Sequence, residues 1–389
     1  MAQFGHPGRF PGFPEGQRKA GKRVVVLMRP LRKIMLVCAM GWLAACGGGG
    51  EDAVSPPTDP VPDSFIDVDR AASAAFAAQG ISGMGLTIYD SNGVKRFERM
   101  YGSFSADQRV AIASSSKMVA GLVILRLIDQ GFLTLDSTTG AVLGWTGPQS
   151  AITLRQLLSF TSGLDREMPC TVLAGIDLAD CVTSISQQPL VAAPGTRFDY
   201  GSTHLHVAAR MAEVVTGQSW ANLFATQLKA PLGLTSPDLA WYTAPRQALG
   251  TTNPLIAGGI RATMNEYAKI LALDFNRGTY QGNTLINSAL FTAQATEQYP
   301  NTVIGNSPFA NSGLNFHYGL AAWLECPPPA TNCAVLSSPG AFGFTPWFDR
   351  DSGYYAILGM EVTESQSGVV AFAVNLAQDL KPLIRSALR

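Results

Sequence analysis

The sequence predicts a two-lobed α/β fold: an antiparallel sheet built from both chain ends with flanking helices, and a mainly helical lobe inserted at about 135–300. Three observations carry this. Strand-like runs occupy 84–101 and return at 317–362. Helix-period runs lie outside both, at 64–79 and 369–388. The stretch between them is mixed helix and loop, so the ends meet in one sheet and the middle forms a second lobe. With 389 residues, 47% hydrophobic and 14% charged, the chain has ample material for a core and is too apolar to be disordered as a whole. No internal period of 20–50 residues marks it as a repeat protein.

In chain order, residues 1–46 read as a targeting segment. Arg29, Arg32 and Lys33 precede the apolar run Ile34 to Met40, and Leu43-Ala44-Ala45-Cys46 follows. A positive start, a short greasy stretch and small residues before a cleavage point describe a secretory signal. The run is too short to span a bilayer comfortably. Its end resembles a bacterial lipoprotein signal, which implies that Cys46 is lipidated and becomes the new N-terminus, with Met28 an alternative start. Gly47 after that cysteine, rather than Asp, leans toward an outer-membrane, periplasm-facing anchor. Residues 47–63, with four glycines and a Pro-rich stretch, read as a flexible tether, and 64–388 as the folded domain.

Residues 1–45 carry eight basic side chains and one acid, so their removal leaves 20 basic against 27 acidic groups, formally −7. Such a chain attracts no nucleic acid. Four cysteines remain in an oxidising compartment: Cys170, Cys181, Cys326 and Cys333. Three pairings exist, and proximity favours Cys170–Cys181 with Cys326–Cys333. A zinc site competes, but no histidine lies near either pair.

The 64–79 helix presents Phe65, Val68, Ala72, Phe76 and Ala77 near helical spacing and stops at Gly80. Met84 to Tyr89 and Val94 to Tyr101 are strands around an Asp90-Ser91-Asn92-Gly93 turn. A helix opens near Ser114 and runs to about Gln130, apolar on almost every face and therefore buried. Late strands are expected at His317 to Leu324, Ala334 to Leu336, Gly343 to Phe348 and Tyr354 to Val362. Cys326 and Cys333 flank Pro327 to Asn332, the tip of a hairpin.

The chemistry is first bounded by what is missing. No Gly-x-Ser-x-Gly elbow, no phosphate loop and no dinucleotide fingerprint occur. His204 and His206 are two apart, a poor metal pair on a helix, and read as structural. Ser114-Ser115-Ser116-Lys117 remains, and Lys117 is the only lysine with a serine three residues earlier. A hydroxyl is a weak nucleophile until a base takes its proton. Residues three apart share a helix face, so Lys117 reaches Ser114. Burial favours the neutral amine that such a base requires. The helix start adds free N–H groups suited to an oxyanion. Ser115 and Ser116 are rotated about 200° and 100° from Lys117's side of the helix.

Several segments in order then resemble the beta-lactamase-related serine hydrolases: class C beta-lactamases, D-alanyl-D-alanine carboxypeptidases and family VIII esterases. Val110 to Asp136 resembles their nucleophile helix. Leu157-Leu158-Ser159-Phe160-Thr161-Ser162-Gly163-Leu164 is similar to their next landmark, with Phe160 where His is frequent. Tyr200-Gly201-Ser202 resembles their Tyr-x-Asn or Tyr-x-Ser, and Gly258-Gly259-Ile260-Arg261-Ala262-Thr263 the glycine turn before a late helix. The resemblance implies a beta-lactamase-like fold and an acyl-enzyme on Ser114, with Lys117 as base. Tyr200 is then a general base and acid whose phenol Lys117 holds partly ionised, and Ser202 orients Lys117 or the substrate. It implies no metal and no organic cofactor. Where class C beta-lactamases have Lys-Thr-Gly, this chain has Ser338-Pro339-Gly340. Ser338 and Gly340 are then the substrate-binding pair, and the N–H of Ala341 completes the oxyanion hole with that of Ser114. Without a cation in this motif, anionic beta-lactam and D-Ala-D-Ala substrates lose a partner. The expected partners are a small-molecule ester or amide and, through the lipid anchor, a membrane; the oligomeric state stays open. Ester cleavage is the leading reading. Amidase, D-Ala-D-Ala carboxypeptidase or weak beta-lactamase activity follows it. A catalytically inactive, ligand-binding envelope lipoprotein is the alternative of another class, opposed by the intact Ser114, Lys117 and Tyr200.

Overall fold

The computed structural model describes residues 60–243, 250–362 and 368–389. The signal segment, Cys46 and most of the expected tether lie outside them. The principal sheet has seven antiparallel strands among the described residues: β1 (Gly83–Asp90), β2 (Lys95–Gly102), β3 (His317–Tyr318), β4 (Trp323–Leu324), β5 (Val335–Ser337), β6 (Thr345–Asp349) and β7 (Tyr354–Gly359). Their spatial order is β3-β4-β5-β6-β7-β1-β2. The chain ends join at β1 and β7, with Gly85 opposite Gly359 and Asp90 opposite Tyr354. The expected sheet from both ends is therefore present.

Alternation along these two central strands divides the core. Met84, Leu86 and Ile88 of β1 and Tyr354, Ala356 and Leu358 of β7 face one way. They meet Val68 and Ala72 of α1 (Ile66–Gln79) and Ala373, Leu376 and Leu380 of the C-terminal helix Val369–Ala387. Tyr89, Tyr355 and Ile357 face the other way, into the larger core that holds α2 (Ser116–Asp129). Eleven of the fourteen residues of α2 are buried, as its apolar sequence requires. Most of the remaining helices lie between β2 and β3 in sequence, as the expected helical lobe requires; they include α3 (Thr203–Thr216) and α4 (Met264–Phe275). No described helix is long and apolar enough to cross a membrane.

Two expectations change. The run expected as one strand from His317 to Leu324 is a tight hairpin, β3 and β4, in which Gly319 N–H donates to the Ala322 carbonyl and Ala321 takes φ 58°. The helix expected to open at Ser114 opens at Ser116; Ala113–Ser115 is a separate 3₁₀ turn. Both cysteine pairings favoured by proximity are present, Cys170–Cys181 and Cys326–Cys333, the second closing the connection between β4 and β5.

Candidate active site

The nucleophile candidate sits where four segments meet. Ala113, directly before it, takes φ 45°, a left-handed conformation that a residue with a side chain adopts at a cost. Something must hold the turn there, and the two following serines do so. Ser115, fully buried, has its Oγ 2.6 Å from the Ser338 carbonyl oxygen and 3.0 Å from that of Phe344, sharing its single proton between them. Ser116 Oγ accepts the Ile260 N–H at 3.1 Å, and Tyr267 donates its phenol proton to the Ser115 carbonyl at 2.9 Å. Of the three serines only Ser114 is partly exposed. The hydroxyls of the other two are committed to holding the turn.

Lys117 lies one turn on, 4% exposed. Its Nζ is 3.0 Å from Ser114 Oγ and donates to the Ala257 carbonyl at 2.9 Å. Nζ also lies over the Tyr200 ring, 4.7 Å from its centroid. Lys117 is thus held by a hydroxyl, a carbonyl and an aromatic face, with no carboxylate among the partners described. Sequence reasoning gave Ser202 the role of orienting either Lys117 or the substrate, and for Lys117 the structure shows another partner. That partner is the Ala257 carbonyl, in the loop leading into Gly258-Gly259, and no described bond joins the Ser202 side chain to Lys117. Nor does a described hydrogen bond join Nζ to the Tyr200 phenol oxygen; the contact is with the ring.

Tyr200 follows the short strand Arg197–Asp199, which pairs in parallel with Val303–Asn306, and Tyr200 N–H donates to the Asn306 carbonyl at 2.9 Å. Gly201 permits the next contact: a Cβ there would lie 2.2 Å from the Arg166 carbonyl oxygen. That carbonyl accepts the N–H groups of Ser202 and Thr203 at 2.9 and 3.1 Å, fixing the loop at the start of α3. His204 pins the same loop from inside. Nδ1 lies 2.8 Å from Ser162 Oγ and Nε2 2.8 Å from the Asp199 carbonyl oxygen. Complete burial pushes its pKa down to about 4, and His206 likewise, so both are neutral and structural. Phe160, where related sequences often have His, takes φ 58° and stacks on His204 at 5.0 Å. The Tyr200 ring is enclosed by Phe160 at 5.4 Å, Trp323 at 5.0 Å and Tyr318 at 5.8 Å.

The third motif closes the site. Gly340 N–H donates to the Phe344 carbonyl at 2.8 Å, and a Cβ on Gly340 would lie 2.2 Å from the Ile112 carbonyl oxygen, so only glycine lets this loop reach the nucleophile turn. Ser338, expected to face substrate, is 3% exposed and donates its hydroxyl proton to the Ser114 carbonyl at 3.1 Å. Its visible role is to brace the Ser114 backbone. Ala341, the expected second oxyanion donor, is exposed one residue beyond Gly340. The sequence offered no sign of Ala257, Tyr267, Tyr318 or Trp323 as site residues. Only the Gly258-Gly259 turn pointed to that loop.

The beta-lactamase family profile matches residues 68–379. The D-alanyl-D-alanine-carboxypeptidase/endopeptidase AmpH of Escherichia coli K12 is 27% identical over 324 residues, covering 75% of this chain and 81% of AmpH. A solved structure from Bacteroides dorei, provisionally assigned to the beta-lactamases, is 29% identical with a TM-score of 0.69, covering 80% of this chain and 98% of the other. At 17% identity the fold alone is shared with EstCE1, described as a hydrolase with promiscuous acyltransferase activity, at a TM-score of 0.63 over 80% of this chain and 98% of that one.

Proposed function

The chain belongs to the beta-lactamase family of serine hydrolases, and from that premise we propose that it cleaves carboxylic esters through an acyl-enzyme on Ser114. The carrying observation is the third motif: Ser338 spends its hydroxyl on the Ser114 carbonyl and supplies no cation to a substrate carboxylate. A neutral ester needs none. Lys117, as the free amine, takes the Ser114 proton while Oγ attacks the ester carbonyl. The oxyanion is received by the N–H groups of Ser114 and Ala341. Tyr200 protonates the leaving alkoxide, and water then releases the acid by the reverse route. Gly340 keeps the approach to the bound ester open, and Ser202 flanks the leaving group.

The similarity to AmpH over 81% of its length favours a second reading, D-alanyl-D-alanine carboxypeptidase activity. The two separate in one experiment: kcat/KM for p-nitrophenyl butyrate, nitrocefin and a D-Ala-D-Ala peptide, with fluorophosphonate labelling mapped to its peptide. Ester turnover at least about tenfold above the other two, equivalent to about 1.4 kcal/mol of transition-state stabilisation, and a label on Ser114 are expected. Nitrocefin or peptide turnover that rivals the ester overturns the ester reading. The same proposal anchors the protein in the bacterial envelope, periplasm-facing and on the outer membrane, through lipidated Cys46. Mass spectrometry of protein from a native-like host should find residues 1–45 removed.

A further inference from the structure

A cavity of about 220 Å³ lies behind the aromatic wall of Tyr200 and takes no part in the chemistry above. Its walls include Phe309, Phe316, Tyr318 and Trp323. Phe309 meets Phe316 and Trp323 edge to face, each at 4.7 Å, and Tyr318 meets Trp323 at 4.8 Å. Aromatic rings in a cavity wall can offer an electron-rich face to a cation. Among the described residues no lysine or arginine lines the cavity. Glu297 does, with a side chain 15% exposed, and its carboxylate lies 3.0 Å from His317 Nδ1. The other ring nitrogen, Nε2, is buried and has no hydrogen-bond partner among the described residues. A carboxylate set among aromatic rings favours a cation with an apolar stem and disfavours an anion. The volume is below the roughly 300–1,000 Å³ of drug-sized sites and suits a group the size of one side chain.

We infer that this cavity is a subsite for a primary alkylammonium group carried by the substrate, held by Glu297 and the surrounding rings. Its place in the fold links it to turnover, because Tyr318 and Trp323 line the cavity and also pack against the Tyr200 ring. Glu297 is held in position by its own backbone, whose N–H donates to the Ala330 carbonyl at 2.7 Å. The link to turnover rests on the ester-hydrolase reading; the cation site itself does not.

The binding test therefore uses the full chain carrying Ser114→Ala, with n-butylammonium chloride and 1-pentanol titrated calorimetrically. Saturable binding of the amine is expected, at least tenfold tighter than the alcohol, and Glu297→Gln in the same background should weaken it at least tenfold. Equal affinity for amine and alcohol, or none for either, overturns the inference. That comparison needs no variant of Glu297 and stands even if Glu297→Gln does not fold. In the active protein, n-butylammonium should inhibit p-nitrophenyl butyrate hydrolysis competitively. Binding without competition removes the cavity from the substrate's path and overturns its assignment as a subsite. Failure of ester turnover with the amine selectively bound counts only against the ester reading.

Discussion

The two walls of the reactive cleft are built by different means. On the Ser114 side, position comes from directed hydrogen bonds: Ser115 to the Ser338 and Phe344 carbonyls, Ser338 to the Ser114 carbonyl, Tyr267 to the Ser115 carbonyl. On the Tyr200 side it comes from stacked rings, with Phe160, Tyr318 and Trp323 around the phenol ring. Hydrogen bonds fix angles and tolerate a strained backbone such as that of Ala113. Ring packing fixes a position while leaving a hydroxyl free to exchange protons. The nucleophile role proposed for Ser114 demands the first kind of support, and the proton-transfer role proposed for Tyr200 the second. Lys117 belongs to both, bonded to Ser114 on one side and set against the Tyr200 ring on the other.

Substitutions can break each wall in turn. The largest effect is expected from Ser114→Ala or Lys117→Ala, each lowering kcat by about 10⁴-fold or more, with the double variant scarcely worse because the pair acts as one unit. Additive losses in steady-state assays would show that the two act separately. Tyr200→Phe keeps the ring in its wall and removes the proton, so it should cost about 10²- to 10⁴-fold in kcat with an unchanged unfolding midpoint. Near wild-type kcat would deny Tyr200 its proton-transfer role.

A third test addresses the interior behind Tyr200. His204 has a pKa of about 4 in the fold against 6.5 in its absence, so between those values the unfolded chain binds more protons. Its contribution to stability is complete above about pH 6.5 and is lost as pH falls toward 4, by about 3 kcal/mol. Buried Asp274, with a raised pKa, acts in the opposite sense, so the variant comparison is the cleaner measurement. Urea unfolding at pH 7 and pH 5 should show a smaller pH-dependent loss for His204→Gln than for the wild type. Parallel profiles would contradict the buried neutral imidazole. The smallest effects belong to Ser115→Ala and Ser116→Ala. Each leaves a buried partner unsatisfied at about 1–3 kcal/mol of stability, yet fluorophosphonate should still label Ser114 in both.

The sequence showed the hydrogen-bonded wall far better than the aromatic one. Ser114 and Lys117 are three residues apart, and a local spacing survives in the text of a chain. The central strands were equally plain, because Met84, Leu86 and Ile88 alternate with the other face. The 3₁₀ turn at Ala113–Ser115 was read as helix, since what interrupts it is the grip of residues 338–344 more than two hundred positions away. Tyr318 and Trp323 looked like ordinary strand residues of one long run. Their roles depend on the β3–β4 hairpin and on Phe198 and Tyr200 arriving from another part of the chain. The same holds for Ala257, whose contribution is a carbonyl that every residue carries.

The hydroxyl of Ser338 reaches the backbone of Ser114 across 224 positions of sequence. A ribosome that has delivered the serine and the lysine has therefore not yet delivered what shapes them. β1 also waits for β7, since Leu86 pairs with Leu358. Non-local pairings of this kind close late and slowly. The turn that carries Ser114 is therefore complete only once residues 338–344 and β7 have joined it.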